Sequence, residues 1–121
     1  MLQGLRTAIY PVGDLAAAKA WYSKVTGHAP YFDQPFYVGF NVGGFELGLV
    51  PDGTPGTAGP QALWGVANAA EACARLVELG AELLDAVQDV GEGIRVAAVR
   101  DPFGNRLGII ENPHFKAGAV S

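Results

Sequence analysis

Asn68, with apolar residues at 69, 72, 76 and 79, restates at an offset of 54 positions Asp14 with Leu15, Ala18, Tyr22 and Val25. Asp and Asn both accept hydrogen bonds from the free N–H groups at a helix start. The apolar spacing that follows is that of one helix face. Gly27 and Gly80 close the two helices, since glycine takes the left-handed conformation without steric cost. Apolar strand candidates precede both caps, at residues 5–11 and 61–66. Three more follow each helix, at 30–32, 37–42 and 45–50, then at 82–87, 94–99 and 106–111. Each half therefore reads βαβββ. A repeat this short cannot bury its sheet alone, so a single domain is expected over residues 1–121. Its modules would cover about 3–50 and 61–115, joined by the Pro- and Gly-rich linker 51–60. The expected fold is α+β, a cupped mixed sheet with the helices on its outer face and a concave face left open.

Half of the residues are apolar and the formal net charge is −4. The eight Lys and Arg residues form no basic stripe, which argues against a nucleic-acid partner. No apolar run approaches the roughly 18 residues of a membrane helix, and no signal peptide is legible. Cys73, the lone cysteine, sits within a helical apolar pattern and is expected to be a buried thiol. A single cysteine makes no disulfide within the chain, so a cytoplasmic setting is expected.

Between the strands at 94–99 and 106–111 lies Asp101-Pro102-Phe103-Gly104-Asn105, followed by Arg106-Leu107-Gly108-Ile109-Ile110. Pro102 presets φ for a tight turn and Gly104 permits positive φ, so the stretch reads as a hairpin. Its wording resembles the last hairpin of the vicinal-oxygen-chelate superfamily, which includes glyoxalase I, extradiol dioxygenases and bleomycin- and fosfomycin-resistance proteins. The resemblance covers nearly the whole chain. It implies paired βαβββ modules around a cup-shaped site and a homodimer.

The resemblance also implies four symmetric metal-ligand positions, two in the first strands and two in the last strands of the halves. Counted from the helix caps, the first pair falls on Thr7 and Gln61. The hairpin wording, and its likeness to Glu46-Leu47-Gly48-Leu49-Val50, puts the second pair on Gly48 and Gly108. In the metal-dependent members a glutamate stands where Gly108 stands. Two glycines, a threonine and a glutamine fall short of the three or four imidazole, carboxylate or thiolate donors that a transition metal needs. Moving the register to make Glu46 the ligand still supplies no histidine. No metal and no cofactor are therefore expected. His28 reads as a loop residue and His114 as a tail residue near the rim of the cup.

Strand alternation groups the residues that would line the cup. If Thr7 and Gln61 point in, so do Ile9 and Leu63, while Ala8, Tyr10, Ala62 and Trp64 face the helices. Glu46 and Arg106 share a face with Gly48 and Gly108. They read either as solvated or ion-paired groups, or as a general base and a fork for a ligand carboxylate. Of the rings at 31–40, Tyr37 and Phe40 are taken as ligand-binding beside Tyr31, Phe32 and Phe36. The Gln34-Pro35 turn can reset their register, so alternation alone assigns them no face.

The leading expectation is a binder of a small, partly aromatic organic molecule, of the bleomycin-resistance type, with the family metal ligands lost. An acidic chain suits a cationic ligand. The alternative is a lyase, isomerase or dioxygenase of the same superfamily, metal-free or with relocated ligands, with Glu46 and His114 as the acid–base candidates. A third reading is a structural module whose dimer interface is its function.

Overall fold

In the computed structural model, which describes residues 1, 3 and 5–115, the chain divides into two compact units. Among the described residues, one holds those of Met1–Gly56 with Phe103–Asn105, the other those of Thr57–Pro102 with Arg106 to Phe115. The rest of the expected 1–121 domain lies outside the described residues.

In the first unit, β1 (Thr7–Pro11), α1 (Leu15–Thr26), β2 (Phe32–Gln34), β3 (Tyr37–Val42) and β4 (Phe45–Val50) follow one another. The sheet order is β1-β4-β3-β2, with β1 parallel to β4 and the other pairs antiparallel. The Asp14 carboxylate accepts from the Ala17 N–H at 3.0 Å, and Gly27 ends α1 at φ 75°. The buried stripe of α1 is Ala18, Trp21 and Tyr22. Trp21 was not on the expected face. It takes that place because its ring meets Tyr22 edge-on at 4.8 Å, leaving Leu15 and Val25 half-buried. Val38, Phe40, Leu47 and Leu49 are buried on the helix side of the sheet. Strand β2 begins two residues later than expected, because its pairing starts at Gln34 opposite Tyr37, across the Pro35-Phe36 turn.

The turn residues Phe103–Asn105 belong to this unit. Phe103 lies 6.1 Å from Trp21, ring centre to ring centre. Asn105 is buried; its amide donates to the Pro11 carbonyl at 2.6 Å and its oxygen accepts from the Gly56 N–H at 3.2 Å. Asn105→Ala is expected to cost about 2 kcal/mol, since it removes both partners from partly buried backbone groups. A lowered urea midpoint at unchanged slope is the readout. An unchanged midpoint would mean that water replaces both bonds.

The second unit repeats the order: β5 (Leu63–Gly65), α2 (Ala69–Glu78), β6 (Glu82–Gly91), β7 (Ile94–Arg100) and β8 (Arg106–Glu111). Its sheet runs β5-β8-β7-β6, with β5 parallel to β8. Asn68 caps α2 by accepting from the Glu71 N–H at 3.0 Å, and the Glu111 carboxylate takes the Ala69 N–H at 2.8 Å. Ala69, Cys73 and Leu76 are the buried face of α2. Cys73 is a buried thiol, and burial pushes its pKa up, which disfavours the reactive thiolate. Ala97, Val99, Leu107 and Ile109 form the helix side of this sheet. The β7–β8 hairpin turns where expected, with Gly104 at φ 95°. Strand β6 runs four residues past its expected end, up to the Gly91-Glu92-Gly93 turn, whose three residues all have positive φ. Among the described residues no helix is long and apolar enough to cross a membrane.

The register of the two sheets bears out the repeat. Ile9 pairs with Gly48 in the first, and Leu63 pairs with Gly108 in the second. Gly48 and Gly108 therefore occupy equivalent places in their sheets.

Candidate functional site

Each sheet has one face packed on its helix and one face away from it. On the second face of the first unit, Ile9 and Gly48 lie in one cross-strand row with Gly39 and Phe32. Thr7 and Glu46 form the next row. Thr7 and Ile9 are exposed, Ile9 by 56% despite its apolar side chain. Both carboxylate oxygens of Glu46 accept phenolic hydrogen bonds, Oε1 from Tyr31 and Oε2 from Tyr37. Burial pushes the Tyr37 phenol above its ordinary pKa, which keeps the donor protonated. Phe32 stands edge-on to Tyr37 and to Phe36, with ring centres 5.9 and 6.1 Å apart.

Gly48 lies directly under the Tyr37 ring: a Cβ built on it falls on the Tyr37 hydroxyl and 2.7 Å from the ring carbon that bears it. Phe40 does not join this group. It is wholly buried on the helix side of β3, three residues from Tyr37 and hence on the opposite face. In this structure it is a core residue, and the expectation that it binds ligand is corrected accordingly.

In the second unit, Leu63 and Gly108 share a row with Ala98 and Asp85. Arg106 lies on the same face of β8, two residues before Gly108. Its Nε donates to the Gln61 side-chain oxygen at 2.7 Å, and its Nη2 donates to the Asp85 carboxylate. A Cβ on Gly108 would stand 2.6 Å from the Ala62 carbonyl oxygen and 2.7 Å from Leu63 Cδ2. Gln61, Leu63 and Arg106 line a groove of about 510 Å³ with Leu84, Asp85, Val87, Gln88 and Val96. Trp64 is half-buried and outside that lining. His114 is held elsewhere, its ring Nε2 at 2.8 Å from the Glu92 carbonyl oxygen in the β6–β7 turn.

Of the expected site residues, the structure brings Gln61, Leu63 and Arg106 into one groove, and Tyr37, Glu46 and Gly48 into one cluster. Sequence reasoning missed Asp85 as the partner of Arg106. Plain alternation from Leu83, which pairs with Val99, puts Asp85 on the helix side. The ladder instead slips by one residue between Leu83 and Asp85, which pairs Asp85 with Ala98. This is a β-bulge, which re-aims the side chains that follow it. Tyr31 was named among the aromatics, but its bond to Glu46 left no sequence signal. Among the described residues no group of three His, Cys, Asp or Glu side chains is placed to hold a metal ion.

Residues 4–109 match the family model of the Glyoxalase/Bleomycin resistance protein/Dioxygenase superfamily. Among solved structures, a glyoxalase-related enzyme from Fulvimarina pelagi is 27% identical at a TM-score of 0.75, the match covering 98% of this chain and 94% of that one. Lactoylglutathione lyase from Agrobacterium tumefaciens is 20% identical at a TM-score of 0.75, covering 96% and 100%. TioX from Micromonospora sp. ML1 is 22% identical at 0.68, covering 89% and 98%. No curated protein matches the chain.

Proposed function

As this chain belongs to the glyoxalase/bleomycin resistance protein/dioxygenase superfamily, we propose that it binds a small, partly aromatic organic molecule and has lost the superfamily's metal site. The observation that carries the proposal is the closure of both glycine positions. Tyr37 covers Gly48, and the Ala62 backbone and Leu63 crowd Gly108. The donors at the family positions support it as well. Thr7 and Gln61 offer a hydroxyl and an amide, and the amide oxygen already accepts from Arg106. Such a set does not suit zinc, nickel or iron, which take imidazole, carboxylate or thiolate.

The exposed apolar side chains support binding. Ile9, Phe32 and Phe36 in the first unit and Leu63 in the second remain exposed, and such surface marks ligand or partner sites when it is contiguous. Acid–base catalysis finds less support. Both Glu46 oxygens are engaged by phenols, and His114 is tied to the Glu92 backbone. The proposal includes a homodimer, which would cover part of this surface, and a cytoplasmic setting, in keeping with the buried free thiol of Cys73.

Elemental analysis of protein produced with added zinc, nickel and iron is expected to find substoichiometric metal, and a chelator is expected to leave the melting temperature unchanged. A panel of small aromatic compounds is expected to raise it, because a ligand that binds only the folded state stabilises by mass action. Stabilisation by divalent metals alone would overturn the proposal.

A further inference from the structure

Resting on that small-molecule reading, we propose that the groove of the second unit receives the carbonyl end of an uncharged, largely apolar ligand, with Arg106 as its hydrogen-bond donor. The groove, about 510 Å³ and half-open to solvent, has room for one end of a small organic molecule. Leu63, Leu84, Val87 and Val96 give it apolar walls. Arg106 is three-quarters buried, with 24% of its side chain exposed, whereas Asp85 keeps 59%.

The charge balance around the guanidinium sets the ligand class, and its engaged edge narrows the approach. A carboxylate binds arginine through a pair of parallel N–H groups, side-on at Nε and Nη2 or end-on at Nη1 and Nη2. Here Nε already donates to Gln61 and Nη2 to Asp85, so the Nε–Nη2 edge is taken. Asp85 also balances the arginine's charge. An incoming carboxylate would stand beside a like charge, and an incoming ammonium would face the guanidinium. What remains are donors: Nη1 of Arg106 and the side-chain amide nitrogen of Gln61 make no hydrogen bond among the described residues, and Nη2 keeps a second N–H. A neutral acceptor answers them, such as the oxygen of an amide, lactam, ester or ketone. This class differs from the carboxylate that Arg106 suggested as a bare sequence position.

The test uses three probes with the same carbon skeleton, phenylbutyramide, phenylbutyrate and phenylbutylamine, titrated into the isotopically labelled full chain and followed by NMR. The amide is expected to bind about tenfold more tightly than either charged probe, because Asp85 repels the carboxylate and the ammonium offers Arg106 no acceptor. It should shift the signals of Leu63, Val96 and Arg106. Arg106→Met is expected to weaken the amide. Asp85→Asn, at an exposed side chain, should keep the fold and remove most of the discrimination against the carboxylate. Phenylbutyrate or phenylbutylamine binding as tightly as the amide to the native chain would overturn the ligand class. Shifts confined to the first unit would overturn the groove as the site, with the small-molecule reading intact. If no probe or aromatic compound shifts any signal, the small-molecule reading itself falls.

Discussion

Phe40→Ala is expected to lower the unfolding free energy by about 3–5 kcal/mol, the usual cost of truncating a buried phenylalanine. Phe40 has no exposed surface and pairs across the sheet with Leu47, itself buried on the helix side. Removing the ring deletes its transfer free energy and leaves a cavity, which close-packed neighbours only partly fill. Domains of this size commonly have about 5–15 kcal/mol in total, so the variant should be poorly folded at growth temperature. Urea denaturation measures the effect. The same variant separates two roles for the residue, because a ring that lined a ligand site would lose binding on truncation and keep the midpoint. A variant as stable as the parent would return Phe40 to the candidate ligand set.

Gly108→Glu should cost about 3 kcal/mol, the upper end for overpacking, and should gain no metal. The substitution supplies the carboxylate that the superfamily resemblance implies for a metal-binding last strand. The obstacle is close to the backbone. Its Cβ would lie 2.6 Å from the Ala62 carbonyl oxygen, just ahead of the Leu63–Gly108 pairing that fixes the spacing of β5 and β8. Relief would require that ladder to shift, since a carbonyl cannot rotate away as a side-chain end can. Gly108→Ala is the control: it adds the Cβ without the carboxylate, so it should show most of the loss. Urea denaturation reads the stability, and elemental analysis after incubation with zinc and nickel reads the metal. A Gly108→Glu chain that is fully stable and holds one metal ion would show that the position is open.

Much of the fold was legible in the residues because its signals are local. Asp14 and Asn68 cap their helices, Gly27 and Gly104 adopt positive φ, and the hairpin turns at Asp101–Asn105. The repeat offsets translate directly into strand register, Ile9 against Gly48 and Leu63 against Gly108. Boundaries were read less well where a partner strand sets them. β2 starts where Tyr37 can pair, and β6 continues to the Gly91–Gly93 turn because its exposed polar residues cost nothing there. The site was legible only in part. Leu63, Arg106 and Glu46 were named from alternation, Gln61 from the repeat offset, and Tyr37 only as one of a dense run of aromatics. Asp85 went unnamed, because the bulge that brings it beside Arg106 adds a residue without a compositional mark, and the Gln34-Pro35 turn left Phe40 without an assigned face.

By itself the sequence determined two βαβββ modules, their caps, and the absence of a ligand side chain at positions 48 and 108. These follow from short-range backbone preference and from the period of apolar residues, which are written into neighbouring positions. Only the tertiary structure decided what fills the space that the glycines leave. Tyr37 covers Gly48 while its hydroxyl bonds Glu46, and Ala62 and Leu63 close on Gly108 while Arg106 turns to Gln61 and Asp85. Which side chain occupies a void depends on distances between strands far apart in sequence, and on a bulge that moves one of them by a residue. Periodicity carries neither.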